Sequence, residues 1–164
     1  MADFTKFGGT TPRVVIYKSE SHKLHQAFPV KASVKIYAGN PVAITTDGTI
    51  ELLTKGNEAN YLGIAVTDNI NPAYKESANA GPVEVTVAVQ GFMIINAISE
   101  AVLNAGPVEI GTPVEIGTGM DATNHFTKFK TFTQAGADAA TRPVNFISLT
   151  KASAKDELIQ VLCK

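Results

Sequence analysis

Residues Val83 to Gln90 alternate without a break: Val83, Val85, Val87 and Val89 fall on one face of an extended chain, and Glu84, Thr86, Ala88 and Gln90 on the other. Period-two alternation of β-branched residues predicts a half-buried strand, because the branched side chains pack well on a pleated surface. The strand closes a longer β unit running from Ala38 to Gly91. That unit opens with Gly39-Asn40-Pro41-Val42-Ala43-Ile44, turns at Thr46-Asp47-Gly48-Thr49 and continues through Tyr61-Leu62-Gly63-Ile64-Ala65-Val66. Asp-Gly between two apolar runs is a tight hairpin signal, since glycine accepts the positive φ that such turns require.

The same order of features returns further along. Gly111-Thr112-Pro113-Val114-Glu115-Ile116 repeats the Gly-x-Pro-Val-x-Ile of residues 39–44 at an offset of 72. Val144 to Thr150 lies over Tyr61 to Thr67, with Ile147 on Ile64. Glu157 to Cys163 lies over Val83 to Val89, which puts Ile159, Val161 and Cys163 on the valine face. Two readings account for this: a duplicated β motif over 38–91 and 110–164, or chance similarity among short Val/Ile/Thr strands.

A chain of 164 residues fits one domain or two small halves sharing a core. At this size roughly two-thirds of the unfolded surface is buried on folding, enough for a core without disulfide or metal staples. The 14 basic and 15 acidic side chains nearly cancel, so no strong positive field is available for a nucleic-acid backbone. One cysteine precludes an internal disulfide framework and suits a reducing compartment. The start of the chain shows no secretory pattern, and the uncharged stretch from Val85 to Ser99 is too short and polar to span a bilayer. Lys155-Asp156-Glu157-Leu158 spells an ER-retention tetrapeptide, but it is internal. The expectation is a soluble β protein made in the cytoplasm.

Residues 1–12, with Phe4, Phe7, Gly8-Gly9 and Pro12, read as an extended N-terminal arm that does not fold by itself. Two phenylalanines gain about 1.5–3 kcal/mol each from burial, so the arm is expected to dock them, on its own body or on another subunit. Residues 13–164 read as a single β domain. Arg13 to Lys18 is a compact β run and Ser19 to Lys23 a polar connection. A second alternating strand is expected with Val30, Ala32, Val34 and Ile36 facing in and Lys31, Ser33, Lys35 and Tyr37 facing out. Residues 69–82 read as a loop, carrying Tyr74. Ala97 to Ala105 is the place for at most one short helix, with Ser99 as N-cap and Gly106-Pro107 as the stop. Gly-Pro-Val junctions at residues 81–83 and 106–108 read as strand starts, where proline need not donate. Gly117 to Asn124 is expected to be a loop, with Gly117-Thr118-Gly119-Met120 a hairpin turn. The phenylalanines 126, 129 and 132 then lie on a strand or ribbon, because Thr127, Thr131 and Thr133 disfavour a helix.

Chemistry-bearing residues are scattered. His22 and His25 stand at i, i+3 without a nearby cysteine or carboxylate to complete a metal site, and His125 stands alone in a loop. The repeat puts Cys163 on an inward face, where it behaves as a small hydrophobe. Asp47, Asp68, Asp121 and Asp138 fall at turns or strand ends, where bonding to local backbone explains them. No nucleophile elbow or phosphate-binding loop is present. No catalytic, cofactor-binding or metal-ligating residue is assigned.

The ordered motifs Leu24-His25-Gln26-Ala27-Phe28-Pro29-Val30-Lys31-Ala32, Ala38 to Ile44, Asp47-Gly48-Thr49-Ile50, Tyr61 to Val66, Val83 to Phe92, Leu103 to Val108 and Glu157 to Leu162 carry a resemblance. Together they resemble the capsid cement, or head decoration, proteins of tailed bacteriophages, over roughly residues 24–110 and the end of the chain. The chain departs from that pattern at Ala154-Lys155-Asp156, where family members often have a Gly-Asp turn. Residues 125–142 match nothing in the family. The resemblance implies a non-enzymatic structural protein without cofactors that binds the outer surface of an icosahedral head. Its partner would be the major capsid protein, its state a homo-oligomer (a trimer favoured), and its place the virion surface, with no nucleic acid or membrane as partner.

Residues and resemblance together predict an all-β fold: a compact barrel or β-clip/β-tulip-like body of two related β units, with an extended arm. Phe4, Phe7 and Arg13 are expected to contact the shell or a neighbouring subunit. The alternative is a carbohydrate- or receptor-binding β module on a virion surface, which needs an exposed aromatic platform. The chain has no Trp and four tyrosines, Tyr17, Tyr37, Tyr61 and Tyr74. A small β-barrel enzyme is a third possibility, needing polar groups convergent on a pocket.

Overall fold

The computed structural model describes residues 16–19 (backbone), 24–69, 83–89, 92–100, 107–121, 125–132 and 145–164. The fold is all-β. Among these described residues eleven strands follow in order: β1 Ile16–Ser19, β2 His25–Pro29, β3 Pro41–Ile44, β4 Ile50–Leu52, β5 Tyr61–Ala65, β6 Glu84–Ala88, β7 Met93–Ser99, β8 Val114–Met120, β9 Thr127–Thr131, β10 Phe146–Ser148 and β11 Leu158–Cys163. A 3-10 turn at Glu58–Asn60 precedes β5.

The strands form two sheets with one topology. The first has the order β2-β6-β5-β3-β4 and curls until the residue after β2, Val30, bridges Ile50 of β4 in parallel. In the second, β7 pairs with β11, β11 with β10, and β8 with β9. A bridge from Pro113 to Ile147 joins β8 to β10, and a parallel pairing of β7 with β9 closes the ring. Substituting β7, β11, β10, β8 and β9 for β2, β6, β5, β3 and β4 reproduces every pairing and its sense.

The correspondence extends to single hydrogen bonds. Gly39 N–H donates to Ala65 O at 2.7 Å, and Gly111 N–H to Ser148 O at 2.8 Å. Both glycines have left-handed φ, 86° and 80°, which a side chain rarely tolerates. Ala65 N–H donates to Asn40 O as Ser148 N–H does to Thr112 O, and Leu53 N–H to Pro41 O as Phe132 N–H does to Pro113 O. Val85 faces Phe28 as Ile159 faces Ala97, and Val87 faces Gln26 as Val161 faces Ile95. The sequence alignment of 83–89 with 157–163 is therefore also the structural one.

Each ring holds its own apolar interior. In the first, Ile36, Val42, Ile50, Ala65, Val85 and Val87 are sealed from solvent, with Phe28, Val34 and Leu52 packed against them. Their counterparts Val108, Val114, Phe129, Ile159 and Val161 fill the second. Ala43, Leu53, Ile64 and Ala88, on the opposite face of the first sheet, belong to the core cluster of the second unit. Strands β3 and β5 are thus covered on both faces, which is why Pro41-Val42-Ala43 and Gly63-Ile64-Ala65 are buried without interruption.

Several expectations held. β6 carries Val85 and Val87 inward, β3 and β4 make the hairpin around Gly48 (φ 81°), β9 is a strand, and Cys163 is buried. Others are corrected. The strand expected over 30–36 lies five residues earlier, at His25–Pro29, and beyond Val30 the chain turns at Ala32–Ser33, where Ser33 adopts φ 66°. Ile36 is nonetheless fully buried, carried inward by a turn. Residues 97–99 complete β7 rather than open a helix, and Ser99 Oγ donates to Ala154 O at 2.7 Å; residues 101–105 of that expected helix lie outside the described residues. Gly117 to Met120 are not a turn but the second half of β8, which bulges against β9 between Ile116 and Met120. Ala88, expected outside, is buried because the second unit covers that face.

Candidate interaction surface

The predicted contact residues Phe4, Phe7 and Arg13 lie outside the described residues, as do His22, Tyr74 and most of 69–82. What the structure does place is the strand that follows them. β1 runs antiparallel along β7, with Ile16 opposite Ile95 and Ser19 opposite Met93. Further along the same edge, Ile98 and Ser99 pair with Lys128 and Phe129 of β9. Two residues, Asn96 and Ala97, separate the two pairings. The chain N-terminal to Ile16 is therefore tied to the body where β1 and β9 share one edge of β7.

Large apolar side chains stand exposed on the surface, the most open being Ile110, Leu24 and Phe92 at 68%, 55% and 50%. Leu24 precedes β2 and accepts from Val89 N–H at 3.0 Å, which sets it beside the end of β6. His25, Gln26 and Ala27 follow it on β2, all exposed.

The remaining polar residues hold structure. His125, expected to be solvated, stacks on Tyr37 with ring centroids 4.0 Å apart and planes 5° from parallel. Asn40, fully buried, joins the two units: its side-chain nitrogen donates to His125 O at 3.2 Å and Thr127 Oγ1 at 3.1 Å, while its oxygen accepts from Tyr37 N–H at 2.9 Å. Glu115, 1% exposed, lies 3.6 Å from the Lys55 ammonium and 3.5 Å from that of Lys130. Asn69 N–H donates to Ile36 O at 3.0 Å as Ala152 N–H does to Val108 O, and the Asn69 side-chain oxygen accepts from Ile36 N–H where the second unit uses Ala152 O, while its amide nitrogen donates to Val34 O. Asp68 accepts from Ala38 N–H, thirty residues away, so local backbone does not account for it.

Asn40 and Glu115 escaped the sequence reading. Asn40 sits in a Gly-Asn-Pro string that signals a turn and conceals a buried bridge. Glu115 had a trace: it occupies the position where the aligned motif has the apolar Ala43.

A cavity of about 40 Å³ lies against Tyr61, Gly63, Ile64, Ala88, Met93 and Cys163, space on the scale of a bound water. Burial pushes the Tyr61 hydroxyl well above its usual pKa, so it stays neutral. Among the described residues no three of His, Cys, Asp or Glu come together as metal ligands. Among the described residues the geometry offers strand edges and exposed apolar side chains.

Comparison with protein-family models and with curated proteins finds no match to this chain.

Proposed function

We propose that this chain is a capsid cement protein, which binds the outer surface of an assembled icosahedral phage head through its N-terminal arm. The observation that carries the reading is the placement of β1. A strand of the N-terminal segment is paired into the body at β7, and Phe4, Phe7 and Arg13 lie directly upstream of that anchor in the chain. Two rings of one topology, packed through a shared apolar layer, provide a rigid base for such an arm. A ligand-like protein that binds the mature lattice stabilises it by mass action. An arm that orders on docking spends entropy, but many copies on one shell recover affinity through effective concentration.

The glycan-binding alternative is weaker on the same surface. Tyr37 spends one ring face on His125, and Tyr61 packs edge-on against Phe146 with centroids 5.2 Å apart. Tyr61 is thereby spent on the core, while the side chains of Tyr17 and Tyr74 lie outside the described residues. Co-sedimentation with mature heads lacking the protein tests the proposal. The full chain is expected to pellet with heads and resist mild washing. Removing residues 1–12 is expected to abolish most of that binding while the body stays folded. Unchanged binding would reject the arm's role; no binding to any head would reject the function and direct attention to a glycan array.

A further inference from the structure

The two units differ at one edge. Matching β2 to β7 through their pairings with β6 and β11 sets Leu24–Gln26 on Met93–Ile95 and Ala27 on Asn96. At the far end of both strands a parallel neighbour takes the edge: Lys31 N–H donates to Ile50 O at 2.9 Å, and Glu100 N–H to Phe129 O at 2.6 Å. At the near end, β7 is paired with β1. The equivalent edge of β2 has no partner strand among the described residues.

Among the described residues that edge is chemically unfinished. Leu24 O and Val30 N–H are spent on the β6 side, at 3.0 and 2.9 Å. Alternation in an antiparallel ladder then turns the main-chain groups of His25 and Ala27 outward. Their side chains and that of Gln26 are exposed, and Leu24 stands 55% open beside them. A sheet edge with open N–H and C=O groups and an apolar flank is a template for strand addition.

We infer that the β2 edge at Leu24–Ala27 accepts an extended strand from the N-terminal segment, residues 1–15, of a second copy of this chain. The second unit shows which segment suits the slot, since its own counterpart is filled by the N-terminal strand β1. β1 itself is committed to β7, so the segment assigned to the β2 edge is the one upstream of it, residues 1–15, taken from a neighbouring copy. Residues 1–15 supply Thr10, Thr11, Val14 and Val15 for an extended strand, and Phe4 and Phe7 for the apolar flank. The pairing is heterologous, donor arm to acceptor edge, and closes into a ring when the rotation between copies permits. It shares the arm with the proposed function but needs no shell.

Amide hydrogen exchange and light scattering on the full chain, without capsids, test it. The full chain is expected to scatter as an oligomer, with the His25 and Ala27 amides exchanging at least about tenfold more slowly than after removal of residues 1–12. A synthetic peptide of residues 1–15 is expected to restore that protection to the shortened protein. Ala27→Pro, which removes the outward N–H and leaves the bonds to β6 in place, is expected to reduce the mass to that of a monomer. Protection in a chain that scatters as a monomer would mean the arm folds onto its own edge and would overturn the inference. So would equal exchange with and without the arm, or protection that arises only when heads are added, which would make a shell strand the occupant. The exchange comparison decides the matter even if the proline variant fails to fold.

Discussion

Gly63 shows how one residue can be dictated by its neighbours rather than by its own flexibility. A Cβ built there would lie 2.1 Å from Ala88 O and 3.1 Å from Val89 Cα, all backbone of the adjacent strand. Backbone cannot swing aside as a side-chain tip can, so β5 and β6 would have to separate. Gly63→Ala is expected to cost about 1–3 kcal/mol or more, as overpacking does elsewhere. Gly48→Ala makes a control, since a Cβ there meets nothing within 4 Å and the cost is limited to its φ of 81°. Chemical denaturation of both variants checks the order; a milder Gly63 variant would contradict the close approach. In the sequence, Leu62-Gly63-Ile64 reads as an ordinary strand with a small residue, because nothing local announces the facing carbonyl.

The β3–β4 hairpin is the element most fully legible in the sequence. Asp47 Oδ1 accepts from the Thr45 hydroxyl, from Thr49 Oγ1 at 2.8 Å and from Thr49 N–H at 3.2 Å. These bonds favour the ionised carboxylate, the Thr45 hydroxyl most, and lower its pKa from 3.8 to about 2. A lowered folded-state pKa means the turn's contribution is present above the unfolded value and lost as pH falls through about 2. Asp47→Ala is therefore expected to melt below wild type at neutral pH, with the gap narrowing from about pH 4 downward. A gap independent of pH would remove the carboxylate from the explanation. The bulged half of β8 was illegible by comparison. Its bulge is held by Glu100, whose carboxylate accepts from Thr118 N–H at 2.5 Å and Thr118 Oγ1 at 2.7 Å. A carboxylate eighteen residues away converts what reads as a Gly-x-Gly turn into strand.

Across the whole molecule, the two units meet through apolar residues, the buried Asn40 amide, the Tyr37–His125 ring stack and the Lys55–Glu115 ion pair. Asn40 bonds Tyr37 on its own side and His125 and Thr127 on the other, and no water competes at that depth. Asn40→Ala leaves Tyr37 N–H and His125 O without this partner and is expected to cost about 2–3 kcal/mol. Faster amide exchange around residues 125–127 is the specific sign; loss of stability spread evenly over both units would argue against a bridging role. The sequence by itself determined the β class, the valine face of β6, the hairpin and the matched motifs at 39–44 and 111–116, because alternation, turn residues and repeated spacing are local signals. Tertiary structure decided that the matched motifs build two rings of identical pairing and that β3 and β5 are covered on both faces. It also turned Ala97–Ser99 from helix to strand, since an isolated helical tendency yields to a full ladder of pairing with β11. Buried Asn40 and Glu115 arise where distant segments meet. A sequence records what each residue prefers, whereas only the packed chain shows what each one faces.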